Sequence, residues 1–158
     1  MIERWDQGRA VIDQLLEQSR LTEVDPNRDL ADQYISQAQT HLSAATTLGD
    51  LDPAGAFTLA YDAARLSLAA ILVVQGLRPR GEGAHAVLLE VALAQLEPPK
   101  QKEIREFNWM RRLRNDTQYP DVDRPTASAD DVLQAIPAAQ AIVERAERIV
   151  SFMPPYRT

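Results

Sequence analysis

The sequence predicts an all-α fold, one up-and-down bundle of about six helices, and three observations carry the prediction. Apolar residues recur at three- and four-residue spacing in one segment after another, no segment reads as a convincing strand, and Gly, Pro and Asp/Asn breakers separate the periodic stretches. At 158 residues, 45% of them hydrophobic, the chain is the size of one domain and can bury a good core. We therefore expect one domain over 1–158, with an N-terminal helical extension over 1–28 and the bundle core over 29–152.

Residues 3–20 place Trp5, Ile12, Leu15 and Leu16 at helical spacing, and Gly8 weakens the middle of this first helix by up to ~1 kcal/mol relative to Ala. Residues 21–27, with Asp25-Pro26-Asn27, break it. Asp29 is placed to start a second helix through Leu30, Tyr34, Ala38, Leu42, Ala45 and Leu48, which Gly49-Asp50 stops. Asp52 then reads as an N-cap with Pro53 at the first helical position of a helix that runs to Gln75, before Gly76. Between Phe57 and Val74 its only charges are Asp62 and Arg65, so neighbours can cover nearly every side and this is the core helix. Residues 77–83, LRPRGEG, form a loop that follows no strand and so lacks the setting of a phosphate-binding Gly loop.

A helix over about 84–96 carries Val87, Leu88, Val91, Leu93 and Leu96 and ends at Pro98-Pro99. The stretch 105–120, REFNWMRRLRNDTQYP, follows. From Lys100 to Arg114 there are six Lys/Arg and two Asp/Glu, net +4, inside a chain of net −6. Such a segment is a solvated face or a site for an anion. Beyond it Ser128, with Asp131 three positions on, caps a last helix through Val132, Ile136, Ile142, Val143, Ala146, Ile149 and Val150, which Pro137 should kink or restart.

Composition excludes several chemistries. With no Cys there are no disulfides, thiolate nucleophiles, Cys zinc sites or iron–sulfur clusters. Two His residues, without an H-x-x-x-H or HExxH pattern, leave no His-based metal site, and we expect no metal and no cofactor. No run approaches the ~18 apolar residues of a membrane span, and MIERWDQGR has no apolar core after a basic flank, so the expected location is the cytoplasm, away from membranes. Arg supplies 15 of the 17 basic residues, a bias that reads as genomic and lowers the weight of Arg counts alone.

On a helical wheel Ile104, Phe107, Met110, Leu113 and Thr117 share an apolar arc, and Arg114 falls between Phe107 and Met110. Asn108, Arg111, Arg112, Asn115 and Tyr119 lie opposite. An unpaired guanidinium on an apolar face costs several kcal/mol, so Arg114 needs a partner or a purpose, and Asp62 is the natural anion to hold it. His85 stands at a helix start, where an imidazole could touch an anion, although bonding local backbone is its ordinary role. His41 has no partner in view. The Asn108-Trp109 pair could stack a base but reads more simply as packing, and Glu97, Glu103 and Glu106 read as a solvated face.

Three pieces, FTLAYDAARLSLAAILVVQGLRP, GEGAH and RRLRNDTQYP, occur in an order that resembles the HEPN domain over about residues 30–150. The resemblance implies an all-helical HEPN-like bundle. Many members of that family are metal-independent endoribonucleases of toxin–antitoxin or antiviral defence systems, acting as dimers whose motifs face each other, while others pair with a nucleotidyltransferase antitoxin or have lost activity. The family signature is an Arg, a polar neighbour and a His four to six residues beyond the Arg. Arg114 and Asn115 match the first two, and Tyr119 stands where His belongs.

The resemblance thus implies Arg114, Asn115 and Tyr119 as catalytic, Arg111 and Arg112 as RNA-binding, and Asp62 and His85 as supporting residues. Tyr, with a pKa near ~10, is a poor base at neutral pH, but it can still bond a phosphate or a 2′-oxygen. The expected protein is RNA-directed, a homodimer that takes RNA or a nucleotide, with a nucleotidyltransferase antitoxin as the implied partner. It is either an atypical endoribonuclease or a catalytically weakened relative. The alternative is a non-catalytic protein-interaction module in which Arg114 is a structural ion pair.

Overall fold

Six helices and two three-residue strands make up the computed structural model, which describes residues 3–96, 101–118 and 126–157. In chain order they are α1 (Arg9–Glu17), β1 (Leu21–Glu23), α2 (Arg28–Leu48), α3 (Pro53–Gln75), β2 (Leu77–Pro79), α4 (Ala84–Leu96), α5 (Gln101–Gln118) and α6 (Ala129–Phe152). The all-α expectation holds.

Local chemistry sets most boundaries. Asp52 accepts a hydrogen bond from the Gly55 amide at 3.0 Å, Pro53 fills the first position of α3, and Gly76 ends it at φ 80°. Ser128 and Asp131 form a reciprocal capping box at the start of α6. The cap of α2 is Asn27, whose side chain accepts from the Leu30 amide at 2.9 Å, whereas Asp29 lies within the first turn. Pro137 does not restart α6, which continues through it.

α3 is the hub, contacting α2, α4, α5, α6 and β2. Its buried alanines, among them Ala56, Ala60, Ala63, Ala64 and Ala70, let neighbouring backbones approach closely. Contrary to the expectation from run length, α3 is long and apolar enough to cross a membrane, at a mean hydropathy of 1.6. In the bundle, however, 67% of that window is buried against other helices, which accounts for its composition. α3 and α4 are also tied by a buried reciprocal amide pair, in which Gln75 Nε2 donates to Gln95 Oε1 at 2.9 Å and Gln95 Nε2 to Gln75 Oε1 at 2.8 Å.

The strands correct the expectation of none. β1 and β2 pair antiparallel, Leu21 with Pro79 and Glu23 with Leu77, where the sequence reads only as a breaker and a loop. They help build a second small core of Ile12, Leu15, Leu21, Leu72, Leu77 and Val87. Tyr156 closes it, donating its hydroxyl to Asp13 with the Arg9 guanidinium 4.2 Å from its ring centroid.

Gly8 is not a weak point within a helix. It is the residue that starts α1, at φ 78°, and a Cβ there would lie 2.4 Å from the Ala94 carbonyl oxygen of α4. Gly8→Ala is therefore expected to cost ~1–3 kcal/mol through left-handed strain and displaced backbone, lowering the melting temperature by roughly 3–10 °C. Calorimetry checks this, and an unchanged melting temperature would refute the close-approach argument.

Candidate functional site

Tyr61 anchors the site. It is fully buried on α3, and its ring stacks on Phe107 of α5 with centroids 5.6 Å apart and planes 11° from parallel. The phenol oxygen shares a hydrogen bond with Nδ1 of His85, at 2.9 Å. His85 is the second residue of α4, so this bond fixes the start of α4 against the middle of α3. The ordinary role expected for His85, bonding local backbone, is corrected: its partner is 24 residues away.

Cations gather around this pair. The Arg114 guanidinium carbon lies 5.8 Å from the Tyr61 ring centroid, within cation–π range. One turn earlier on α5, Arg111 Nη2 donates to Asn108 Oδ1 at 3.2 Å. One turn beyond Tyr61 on α3, Arg65 Nε donates to Asp62 Oδ1 at 3.4 Å. Among the described residues, three guanidiniums thus stand with one carboxylate, and both Arg111 Nε and Arg114 Nε are buried without a hydrogen-bond partner.

The titration behaviour reports the same geometry. Burial pushes the Tyr61 phenol up to about 12 despite the opposing pull of Arg114, Arg65 and Arg111. Burial also lowers His85 below its ordinary value, and Arg65, Arg114 and Arg111 push it the same way against Asp62. Burial first, and then the three guanidiniums already standing there, disfavour the protonated imidazole. A half-buried cluster with excess positive charge and two N–H groups that have no acceptor among the described residues is a chemical match for an oxyanion.

Of the residues singled out in the sequence, Arg111, Arg114, Asp62 and His85 come together. Asp62 does not hold Arg114, since its carboxylate is taken by Arg65 on the same helix. Arg111 departs from the polar arc and is half-buried in the cluster, whereas Arg112 and Asn115 are exposed. Tyr119 lies outside the described residues, as does Glu97. Trp109 packs edge-on against Phe57, with centroids 6.0 Å apart, and Glu103 bonds Arg145 at 3.4 Å.

Sequence reasoning missed Tyr61 and Arg65. Their i,i+4 spacing on the long apolar helix α3 was the available signal, because a charge retained on such a helix must face something polar. Among the described residues no three His, Asp or Glu side chains group as metal ligands. The family model described as HEPN domain matches residues 31–149. No curated protein and no solved structure gives a match.

Proposed function

The chain belongs to the HEPN domain family, and from that premise we propose that it is an RNA-directed protein of a toxin–antitoxin or defence system whose Arg65, Arg111 and Arg114 take an RNA phosphate. The family itself carries the coarser part, a nuclease-like or RNA-related role. One observation supports the finer part: two buried guanidinium Nε groups converge from α5 on the Tyr61–His85 pair with no acceptor among the described residues. A phosphate oxygen supplies that acceptor and neutralises the excess charge. The interaction-module alternative needed Arg114 in an ion pair, and Asp62 is engaged elsewhere.

In this reading the protein works in the cytoplasm as a homodimer, the family's arrangement for facing motifs, with a nucleotidyltransferase antitoxin as its partner. Light scattering should then give about twice the 17.6 kDa chain mass at micromolar concentration, and a monomer would remove the facing-motif arrangement. Whether the chain turns RNA over depends on the proton-transfer group. Tyr119, which we read as standing in place of the family's His, suits a hydrogen bond to phosphate better than proton abstraction.

One phosphate neutralised on a single strand gives a salt slope near −0.7, so affinity should fall roughly 2- to 3-fold between about 50 and 200 mM monovalent salt. Fluorescence anisotropy with a short single-stranded RNA measures this. No binding at the lower salt would overturn the RNA-directed reading.

A further inference from the structure

We propose that His85, held through Nδ1 by the Tyr61 hydroxyl, is the residue that moves the proton when RNA is cut at this site. The inference deepens the proposed function and rests on it. Cutting RNA without a metal needs a group that accepts a proton near neutral pH, and the chain has no Cys and only two His. His41 sits on α2 with its Nδ1 buried and unpartnered, and it takes no part in the cluster. Arginines stay protonated, Asp62 is engaged by Arg65, and Tyr61 holds its proton up to about 12. His85 remains.

The hydrogen bond at Nδ1 decides what Nε2 can do. When Nδ1–H donates to the phenol oxygen, Nε2 presents a lone pair, and it has no hydrogen-bond partner among the described residues. With phosphate on the arginines, the 2′-hydroxyl proton passes to Nε2 as the 2′-oxygen bonds to phosphorus. The P–O5′ bond breaks with its electron pair on O5′, and the imidazolium returns the proton to that oxygen. The products are a 2′,3′-cyclic phosphate and a 5′-hydroxyl, and no water is consumed. Throughout, the Nδ1–H bond to Tyr61 persists, so Tyr61 is a positioning residue that orients the ring with Nε2 toward the reacting atoms.

The charges around His85 make this proton acceptor depend on substrate. Facing it are Tyr61, Asp62 and Arg65 of α3 and Arg111 and Arg114 of α5. Burial is the larger cause of the lowered proton affinity of His85, and the arginines add to it; an anion on the three arginines offsets that second contribution, so binding raises the affinity of His85 for a proton.

The test uses the full chain in EDTA with a fluorescent single-stranded RNA, scoring affinity by anisotropy and cleavage by gel. Wild type should cleave to cyclic-phosphate ends. His85→Gln and His85→Ala should lose about 100-fold or more in cleavage while keeping affinity within about threefold. Tyr61→Phe should bind equally well but shift the acid limb of the kcat/KM pH profile, which a merely structural Tyr would not move. Independently, the His85 imidazole followed by NMR should titrate at higher pH when the uncleavable DNA oligonucleotide of the same sequence is bound. Cleavage by His85→Gln at the wild-type rate overturns the inference. So does wild type that binds RNA without cutting it, an outcome that leaves the RNA-directed reading intact, whereas failure of wild type to bind at low salt removes both.

Discussion

Arg114→Ala is expected to weaken RNA binding by roughly 10- to 100-fold at low salt while shifting the melting temperature by only a few degrees. Sequence reasoning pointed the other way for stability: an Arg114–Asp62 ion pair cut on one side would cost ~3–5 kcal/mol. In the fold Asp62 bonds Arg65, and Arg114 rests on the Tyr61 ring with a buried Nε that has no partner among the described residues. The ring contact contributes about 0.5–2 kcal/mol, and the orphaned N–H costs ~1–3 kcal/mol, so the two nearly offset. Binding is different, because phosphate removes the penalty and adds a charge-assisted bond. Arg114→Lys should recover only part of the affinity, since an ammonium keeps the charge but not the planar fork. Arg112→Ala, on the exposed side of α5, should cost less than Arg114→Ala. A melting temperature lowered by ~10 °C with RNA affinity unchanged would make Arg114 a structural residue and sink the proposed site.

What the sequence disclosed and what it hid follow a physical division. Helix limits that depend on adjacent residues were legible: Asp52-Pro53 before α3, Gly76 after it, and the Ser128–Asp131 box before α6 each act within one turn. So was the buried face of α5, where Ile104, Phe107 and Met110 lie in the core as their spacing requires. The paired strands were hidden because three residues cannot display a period of two, and Leu21 meets Pro79 only once the chain has folded. Gly8 misled for the same reason. Its value lies in the approach of Ala94 on α4, and a propensity scale records only its entropy cost.

The candidate site divides likewise. The wheel placed Arg114 against the core but could not say that an aromatic face, instead of a carboxylate, receives it. It placed Arg111 and Arg112 together on the polar arc, yet long side chains turn. Arg111 joins the buried cluster while Arg112 stays in solvent. His85 and Tyr61 lie on different helices, so their bond is a product of tertiary packing that no local pattern encodes.

That bond makes a second large effect measurable, on the alkaline side. The unfolded Tyr61 phenol loses its proton near pH ~10, whereas the folded one holds it to about 12, so between those values the folded state keeps a proton that the unfolded state has released. Raising pH through this window therefore favours unfolding. The contribution of Tyr61 is complete below ~10 and is lost on the way to about 12, a change of about 3 kcal/mol in a total stability of ~5–15 kcal/mol. Tyr156, also pushed up to about 12 by burial and by its bond to Asp13, adds a loss of the same sign. The measurement is accordingly a difference: urea unfolding across the window for wild type and Tyr61→Phe, both carrying Tyr156→Phe. The phenylalanine variant keeps the stack on Phe107 and should lose most of the pH slope. Equal slopes in the two proteins would show that the phenol is not held in a protonated, desolvated state. If the slope does vanish, Tyr61 is a neutral phenol throughout the physiological range, able to orient the His85 imidazole but not to act as a base, as the proposed reaction requires.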